Sequence, residues 1–418
     1  MSGKHVLVIG GGVVGLTSAW WLLQAGFHVT LLERGPEVGI GASYRNGGQL
    51  SYRYVAPFAD AGVPFKALQW MFQQDGPLRF KLEADPRQWR WMAQFLAHCR
   101  ADINRNTTFK LLELGELSRV SMTELDAVMP RAQFAWRDAG KLVVYRSRKR
   151  FGAAVSRPDS QDAREVLSPA ECVAREPALA AAQGVLAGGI FNSGEAVADC
   201  HAFCEALAAQ LAAHPRFKGI VHGEARAFVT DNGKVKCLDT SAGPLGADAF
   251  VLAAGIQSRT LAASAGVTLP LYPIKGYSLS APIRAGDLAP EISVTDFERK
   301  VLYARIGSQL RVAAMADLVG EDARIDPKRV AGLIRQVRAT MPKAADYDQL
   351  TTWAGLRPAT PSSAPIIGAS PLSNLWLNLG HGGLGFTFAC GSARILADLM
   401  AGRPAPIGME GLALQSHS

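Results

Sequence analysis

The feature that most constrains the fold is the segment HVLVIGGGVVGLTSAWWLLQAGFHVTLLERG, which begins at His5. Its apolar content resembles an export signal or a membrane anchor, but either of those would be one continuous helix. Three adjacent glycines beginning at Gly10 interrupt the segment, and each disfavours a helix by about 1 kcal/mol. The segment therefore predicts a strand, a glycine turn, a helix that stops before a glycine, and a second strand. The predicted elements are His5–Ile9, Val13–Ala25 and Val29–Leu32.

This strand–helix–strand unit carries the spacing Gly10-x-Gly12-x-x-Gly15, with Glu33 at the end of the second strand. Gly10 permits a tight turn, Gly12 lets a diphosphate approach the backbone, and Gly15 lets the helix pack closely on the strand. The helix N-terminus offers N–H groups and a positive partial charge to the phosphates. Glu33 can accept hydrogen bonds from both ribose hydroxyls. The unit predicts a site for an adenine dinucleotide, and the opening segment is part of the fold.

The bulk composition excludes several classes of protein. Apolar residues make up 48% of the 418 residues, which is typical of a globular protein. Lys and Arg total 44 against 36 Asp and Glu, and the resulting formal charge of +8 fits a basic surface or an anionic ligand or membrane. No run of five like charges occurs, so a nucleic-acid partner is not expected.

The six cysteines are scattered and form no CxxC pair, which suggests a reducing compartment. Cys200 and Cys204 flank His201 one helical turn apart. This spacing permits metal ligation, but no second ligand pair follows, so core positions in a helix are the favoured interpretation. We expect no metal site.

Two parts of the chain favour FAD over NAD as the dinucleotide. After Glu33 the chain continues as a loop rich in small residues, RGPEVGIGASYRNGGQLSYRY, instead of another strand–helix–strand repeat. Near the C-terminus a strand over Leu375–Leu379 leads into the glycine loop Gly380–Gly385 and a helix over Phe386–Ala401. A helix N-terminus aimed at a reduced flavin would stabilise its negative charge, although the loop could also be a simple tight turn.

The remaining segments predict an α/β (α+β mixed) architecture. A Rossmann-like FAD-binding domain is assembled from discontinuous segments, with an inserted substrate domain built on a mixed or antiparallel sheet. Ala247–Ala254 returns to the first sheet, and strands over Leu271–Ala281 and Val301–Ala314, with turns at Gly276 and Gly307, begin the second. The predicted division assigns 1–80, 150–255 and 350–405 to the FAD-binding domain, 81–149 and 256–349 to the substrate domain, and 406–418 to a C-terminal tail.

Three tryptophans, Trp70, Trp89 and Trp91, lie close together in the sequence with basic residues between them. Their spacing favours packing in a core or between domains. A basic and aromatic face that touches a membrane is the alternative.

At this point the residues match a known family. The stretches VLVIGGGVVGLTSAWWLLQAG, NGGQLSYRYVAPFADAGVPFKALQWMF, YPIKGYSL, TTWAGLRPATPSSAPIIG and NLWLNLGHGGLGFTFACGSARILADLMAGR occur in the expected order over nearly the full length. The chain resembles the glycine oxidase/D-amino-acid oxidase superfamily of FAD flavoproteins. Within it, the chain is most similar to the bacterial D-amino acid dehydrogenases of the small-subunit type.

The resemblance implies which residues contact FAD. Relatives commonly carry Asp-Gly where this chain has Ser362-Ser363, which puts the interaction of that Asp in question. The implied contacts are Gly10, Gly12, Val13, Val14, Gly15, Glu33, Arg34, Ser43, Asn46, Gly48, Gln49, Leu50, Ala225, Ala254, Gly255, Gly355, Gly380, Gly382, Gly383, Leu384, Gly385 and Thr387.

The resemblance also implies the chemistry. A D-amino acid would deliver its Cα hydrogen as hydride to flavin N5, and the imino acid would hydrolyse to a 2-oxo acid and ammonia. Arg357 is the expected carboxylate clamp, because a guanidinium is planar, two-pronged and always charged. The other candidates are Tyr277, which is preferred, then Tyr52 and Tyr54 for a second carboxylate bond or a lid, and Lys275 and His381 near the flavin.

Three functions remain open from the sequence. The leading one is a D-amino acid dehydrogenase that passes electrons to a quinone or another respiratory-chain acceptor. The second is a dehydrogenase or oxidase specific for a cyclic amine such as D-proline or hydroxy-D-proline, and the third is an FAD-binding subunit of a larger complex. We expect a cytoplasmic protein, with peripheral attachment to the inner membrane as an alternative. The sequence does not indicate an oligomeric state.

Overall fold

The computed structural model describes residues 3–55, 57–59, 76–156 and 164–415. The strands, in chain order, are β1 (His5–Ile9), β2 (His28–Glu33), β3 (Gln49–Leu50), β4 (Leu78–Phe80), β5 (Lys141–Tyr145), β6 (Arg164–Leu167), β7 (Gly188–Asn192), β8 (Ala196–Val197), β9 (Phe217–His222), β10 (Ala225–Asp231), β11 (Lys234–Thr240), β12 (Ala249–Leu252), β13 (Tyr272–Pro282), β14 (Ser293–Asp296), β15 (Val301–Ile306), β16 (Gln309–Leu318), β17 (Thr351–Ala359), β18 (Ile366–Ala369) and β19 (Leu375–Leu379). The helices are α1 (Val13–Gln24), α2 (Pro86–His98), α3 (Ala101–Glu124), α4 (Arg148–Val155), α5 (Pro169–Arg175), α6 (Cys200–Ala213), α7 (Ser258–Ser264), α8 (Pro327–Thr340) and α9 (Gly385–Met400).

A six-stranded sheet in the order β18-β19-β12-β1-β2-β9 forms the first layer. Its five strands from β19 to β9 run parallel, and β18 pairs antiparallel at one edge. Strand β1 lies in the middle, where both faces are covered, and this explains its uninterrupted apolar run. The predicted strand over His5–Ile9 is confirmed, and α1 ends one residue before the predicted Ala25.

Helix α1 is buried along almost its whole length because it is covered on more than one side. It packs against the parallel sheet, α6 and α9 in one core cluster. Helix α3 covers α9 in turn, and at their crossing the Gly391 N–H donates to Ser118 Oγ at 3.1 Å. None of the helices in the described part of the chain is both long and apolar enough for a membrane crossing.

A second sheet has nine strands, in the order β17-β13-β16-β15-β14-β5-β7-β6, with β4 paired to β16. It is mostly antiparallel, and its parallel pairs are β14 with β5 and β16 with β4. Gly307 forms the predicted turn between β15 and β16, with a φ of 57°. The predicted turn at Gly276 is wrong, because Gly276 lies inside β13, directly opposite Gly355 of β17.

The two faces of the nine-stranded sheet have different neighbours. Leu279 and Tyr303 contribute to a core cluster that α8 covers. On the opposite face, a Cβ on Gly47 would contact Leu302 and Ala313, and Ser278 Oγ donates to the Arg45 carbonyl at 2.7 Å. The loop that follows β2 therefore lies against this second face.

The sheets do not follow the predicted domain boundaries at every point. Strands β6 and β7 lie within the predicted 150–255 segment but belong to the nine-stranded sheet, where β7 pairs with β5 and β6 pairs with β7. Strand β17, within the predicted 350–405 segment, pairs with β13 in the same sheet. The division into an FAD-binding and a substrate domain stays a prediction.

The cysteine and tryptophan motifs have separate outcomes. Cys200 and Cys204 are both buried in the core on α6, as favoured from their spacing. Trp91 is buried and its indole donates to the Ala359 carbonyl at 2.9 Å, whereas Trp89 is 49% exposed. Trp70 lies outside the described residues.

The crossing of α3 and α9 yields a stability prediction. A Cβ on Gly391 would lie 2.8 Å from the Ser118 backbone nitrogen and 3.0 Å from the Leu114 carbonyl oxygen. Because backbone atoms of α3 would have to move, we expect Gly391→Ala to destabilise the protein by about 1–3 kcal/mol. The matched control is Gly152→Ala in α4, where no atom of the described residues outside the neighbouring helix backbone lies within 4 Å of the new methyl. This control should stabilise by up to about 1 kcal/mol. Urea midpoints measure both, and equal shifts would contradict the packing described.

Candidate active site

The carboxyl ends of the parallel strands meet at one edge of the six-stranded sheet. There Gly10 adopts a φ of 109°, and a Cβ on it would lie 2.6 Å from the Ala253 carbonyl oxygen. A Cβ on Gly15 would lie 1.8 Å from the Gly10 carbonyl oxygen. These contacts give Gly10 and Gly15 the roles that the spacing predicts, namely the tight turn and the close helix–strand approach.

Glu33 lies at the end of β2 beside this turn. Its carboxylate accepts hydrogen bonds from the Gly11 N–H at 2.7 Å and the Gly35 N–H at 2.8 Å. On its other side, β2 pairs with β9 through Glu33 and His222, and Ala225 follows at the start of β10. Ala225 is thus brought near Glu33, as expected for an adenine contact, and Arg34 follows Glu33 directly.

The loop after β2 links the glycine turn to the nine-stranded sheet. Ser43 Oγ accepts from the Val13 N–H at 3.1 Å, at the first residue of α1. The Asn46 carbonyl accepts from Arg311 Nη1 at 3.0 Å, and Gly48 has a φ of 64°. Leu50 is fully buried in the core.

The second glycine loop follows β19 at the same edge. Gly380 and Gly382 have φ values of 81° and 55°, which glycine adopts without strain. A Cβ on Gly380 would lie 2.7 Å from Thr360 Cγ2, so this turn is tightly enclosed. Helix α9 begins at Gly385, and the pair Ala254–Gly255 follows the neighbouring strand β12.

Arg357 lies on β17, on the face of the large sheet that the loop after β2 approaches. Its guanidinium covers Gly276, because a Cβ there would lie 2.2 Å from Arg357 Nη2. A Cβ on Gly383 would lie 3.7 Å from Arg357 Cδ, so the side chain also borders the second glycine loop. Burial lowers the pKa of Arg357 to about 10, partly opposed by Asp317, and the group stays cationic at neutral pH.

A bulge in β16 holds the guanidinium. Lys275 pairs with Asp317 and Tyr277 with Ala314, so Met315 and Ala316 both stand opposite Gly276. Met315 has a φ of 68°, and its carbonyl accepts from Arg357 Nη1 at 2.8 Å. The bulge therefore supplies an acceptor to one prong of Arg357.

The structure does not bring Tyr277 to Arg357. Successive residues of a strand point to opposite faces, and Tyr277 packs in the core cluster on the face that α8 covers. Its hydroxyl donates to Asp317 Oδ2 at 3.2 Å, and burial together with Asp317 raises its pKa. Lys275 lies on the same face and donates to the Arg324 carbonyl at 2.9 Å.

The other two tyrosines differ in exposure. Tyr52 is buried in the first core cluster and burial raises the pKa of its hydroxyl, so it belongs to the packing. Tyr54 is 37% exposed, and its ring lies under the ammonium of Lys141, with Nζ 4.1 Å from the ring centroid. Of the predicted tyrosines, Tyr54 alone combines exposure with a neighbouring cation in the described residues.

His381 is packed rather than presented to a ligand. It is 4% exposed, and its Nε2 lies 3.0 Å from Ser392 Oγ in α9. Burial lowers the pKa of His381 to about 3, so the ring is neutral at physiological pH. This environment favours the hydrogen-bonded, structural interpretation over proton transfer.

The Ser362-Ser363 pair has a left-handed backbone at its second residue. Ser363 has a φ of 68°, a conformation that favours glycine. Its hydroxyl accepts from the Phe58 N–H at 3.1 Å, and Ser362 Oγ accepts from the Ala364 N–H at 3.2 Å. The serine hydroxyls thus bond the local backbone.

Sequence reasoning missed two side chains on this face. Trp353 covers Gly355, since a Cβ there would lie 2.1 Å from its Cη2. Lys141 opens the buried strand β5 and is 4% exposed. A lysine at the start of the apolar run KLVVY could have indicated a buried cation. Strand ends are usually solvated, however, and the sequence does not reveal which residues surround this one.

The glycine turn fits a dinucleotide diphosphate. Among the described residues, a Cβ on Gly12 would meet Ser43 Oγ alone, at 3.5 Å, so the space beside the N-terminus of α1 is open enough for a ligand to approach the backbone. Glu33 lies at hydrogen-bonding distance from the same turn. The residues that would hold the cofactor are therefore assembled at one edge.

Two alanine substitutions distinguish the effect of a glycine on protein stability from its effect on dinucleotide binding. Gly12→Ala should leave apoprotein stability nearly unchanged but weaken dinucleotide binding at least tenfold, because the methyl would occupy the approach to the diphosphate. Gly15→Ala should destabilise the apoprotein itself, because its methyl would strike the Gly10 carbonyl. Thermal unfolding of the apoprotein and the bound flavin per chain are the measurements. Full flavin content in Gly12→Ala would contradict the assigned diphosphate position.

Comparison with known proteins identifies the family of the chain. A family model described as DAO, FAD dependent oxidoreductase, matches residues 5–399. The chain is 47% identical over 410 residues to "D-amino acid dehydrogenase 2" of Pseudomonas aeruginosa, covering 98% of each chain. It is 42% identical over 426 residues to "D-amino acid dehydrogenase" of Paramagnetospirillum magneticum, again covering 98% of each.

Solved structures share the architecture at low sequence identity. The glycine oxidase from Geobacillus kaustophilus superposes with a TM-score of 0.74 at 21% identity, covering 99% of this chain and 100% of that one. The L-proline dehydrogenase from P. horikoshii gives 0.69 at 19% identity, with 99% and 97% coverage. The predicted mixed α/β class with a Rossmann-like FAD-binding fold is confirmed. The chain belongs to the DAO family of FAD-dependent oxidoreductases.

Proposed function

We propose that the protein is a D-amino acid dehydrogenase that oxidises the CH–NH bond of its substrate to an imino acid, which hydrolyses to a 2-oxo acid and ammonia. FAD held at the glycine turn around Gly12 and at the second glycine loop, 380–385, would supply the acceptor for the hydride that leaves the substrate Cα. Support comes from the full-length relatives named D-amino acid dehydrogenase at 47% and 42% identity. The single observation that carries the proposal is the cationic Arg357, enclosed between Gly276 and the glycine loop at Gly383.

Arg357 is suited to hold the substrate carboxylate. The pKa of Arg357, lowered by burial to about 10, still leaves it charged at neutral pH. Its Nη1 is engaged by the Met315 carbonyl, which fixes the plane of the guanidinium while other N–H donors remain for the ligand. A carboxylate held there would present the neighbouring Cα beside Gly383, where the resemblance puts the flavin.

The other residues on this face would orient the substrate and exclude water from it. Trp353 covers Gly355 next to Arg357 and would limit water at the reacting carbon. Tyr54 is the remaining tyrosine candidate for the substrate side. No general base is proposed, because a substrate amine bound in its neutral form can lose hydride without one.

Anaerobic mixing with single amino acids tests the reaction class. D-Alanine and other acyclic D-amino acids should bleach the flavin absorbance, and their L-enantiomers should not. Bleaching by D-proline alone would favour the cyclic-amine alternative. A flavin that no amine bleaches would support a non-catalytic FAD-binding subunit and contradict the proposal.

Substitution of Arg357 should affect substrate binding more than folding. Because a charge-assisted hydrogen bond is worth about 1.5–3 kcal/mol, Arg357→Ala should raise the apparent KM for flavin reduction about 10- to 100-fold. Gly276→Ala should act in the same direction, since its methyl would displace the flexible guanidinium at little cost in stability. Gly184→Ala is the matched control, because no atom in the described part of the chain lies within 4 Å of its new methyl. Parental reduction kinetics in Arg357→Ala would remove that residue from the site.

The proposed electron acceptor is a quinone, reached by peripheral attachment to an anionic membrane. Support comes from the formal charge of +8 and from α2, where Trp89 and Leu96 are 49% and 51% exposed beside the exposed Arg90. Stopped-flow reoxidation with a soluble quinone should then be faster than with air.

Attachment through α2 is tested by flotation with anionic vesicles. The protein should float at low salt, and Trp89→Ser with Leu96→Ser should reduce flotation several-fold while flavin bleaching stays unchanged. A double serine change at Val166 and Val185, which are 48% and 55% exposed elsewhere, serves as the control. No flotation of the parent protein at low salt would contradict membrane attachment.

A further inference from the structure

Lys141 is a buried cation that the proposed reaction does not use. It is 4% exposed, and its Nζ donates to Gln49 Oε1 at 2.8 Å and to Ser51 Oγ at 2.9 Å. Both partners belong to the segment Gln49–Tyr54, here called the strap, which crosses between the two sheets. A lysine ammonium has three donors, so two of them are committed to the strap.

The strap is in turn bonded to the start of α9. The Ser51 N–H donates to Thr387 Oγ1 at 3.2 Å, and Thr387 Oγ1 lies 3.4 Å from the Gln49 carbonyl. Thr387 is the third residue of α9, directly after the second glycine loop. Lys141 is therefore linked to the start of α9 through two strap residues, Gln49 and Ser51, each of which also bonds Thr387.

A buried carboxylate balances the charge of Lys141. Glu195 is 2% exposed and accepts from the strap N–H groups of Tyr52 at 2.6 Å and Arg53 at 3.0 Å. Burial lowers the pKa of Lys141 and raises that of Glu195, and each group partly opposes the shift of the other. The strap is thus held from two sides: Lys141 bonds its side chains, and Glu195 bonds its backbone N–H groups.

The far end of the strap is also tied to Lys141. The Tyr54 ring lies under the ammonium, with Nζ 4.1 Å from the ring centroid. Gln49 donates its side-chain amide to Ser293 Oγ on the neighbouring strand β14, which pairs directly with Lys141. Three strap residues are oriented by contacts with this one side chain.

We propose that Lys141 is a positioning residue of the FAD site, which holds the strap against the start of α9 so that the strap can retain the cofactor. This inference concerns the cofactor and does not depend on which amine is oxidised. Removing the ammonium leaves Gln49 Oε1 with the longer bond from Ser51 Oγ, at 3.4 Å, takes a donor from Ser51 Oγ, and removes the cation beside the Tyr54 ring. The strap then separates from α9 more readily, and FAD leaves faster.

The release rate of FAD from the holoenzyme, followed by the rise in flavin fluorescence on dilution, is the test. Lys141→Met should release FAD at least tenfold faster than the parent protein. The double variant Lys141→Met with Glu195→Gln removes both charges, so it leaves no unpaired buried carboxylate, and it should also release FAD at least tenfold faster. Lys141→Arg, which keeps the charge, should fall between.

A second buried lysine on the opposite face of the same sheet provides the matched control. Lys275 is 1% exposed and donates to the Arg324 carbonyl, away from the strap. Lys275→Met should lower the melting temperature of the apoprotein but leave the FAD release rate at the parental value. In Lys141→Met, by contrast, the rise in melting temperature on adding FAD should shrink.

Two results would overturn the proposal. Parental FAD release in the double variant would mean that Lys141 merely offsets the charge of Glu195. Failure of the double variant to fold, together with parental FAD release in Lys141→Arg, would assign Lys141 a structural role alone. Neither result bears on amine oxidation, which the bleaching experiments test separately.

Discussion

The close approach of α1 to β1 is the constraint on which the rest of the structure depends. The Gly10 carbonyl lies where a side chain at position 15 would begin, 1.8 Å from an ideal Cβ. Only a glycine at position 15 allows the N-terminus of α1 to pack this closely against the end of β1. The strand neighbours β2 and β12 then bring Glu33 and Ala254 to the same edge, and β19 brings the second glycine loop. The residues predicted to hold the dinucleotide come together from segments more than 300 residues apart because their strands are parallel and end at the same edge.

The second constraint is the alternation of side chains along β13 and β17. Gly276 and Gly355 stand opposite each other in the β13–β17 pair, so the sheet surface at this point carries no side chains of its own. Arg357 and Trp353 cover these two glycines, so a guanidinium and an indole lie side by side on the face that approaches the nucleotide loop. The bulge at Met315 then supplies a carbonyl that fixes the guanidinium. The proposed substrate side of the site therefore depends on strand pairing and not on any single motif.

Local motifs were predictable because they are continuous in the sequence. The first strand, the glycine turn, α1, the C-terminal glycine loop and α9 all follow from short-range propensity and spacing, and their bounds agree to within one or two residues. Features that depend on register were not predictable. In the sequence Gly276 predicts a turn, because a glycine in a strand interior is unusual. In the structure it pairs with Gly355 inside the sheet, and the Arg357 guanidinium occupies the space where its side chain would be.

The tyrosine candidates and Lys141 illustrate the same limit. A one-residue difference in a strand decides which face a side chain occupies, so Tyr277 lies with Asp317 under α8 although it is next to Gly276 in the sequence. Lys141 meets the strap across about 90 residues of chain, and no local pattern reports such a contact. The boundary between domains is hard to predict for a related reason, since β5, β6 and β7 join a sheet whose other strands lie far along the chain.

The central claim is that an amine substrate is held by Arg357 on the sheet face beside the second glycine loop, next to the flavin. A crystal structure of the FAD-loaded protein with a bound 2-oxo acid product tests it most directly. The account predicts carboxylate oxygens within about 3 Å of the Arg357 guanidinium nitrogens and the isoalloxazine ring against residues 380–385. A carboxylate bound elsewhere, with Arg357 contacting only the Met315 carbonyl, would contradict it.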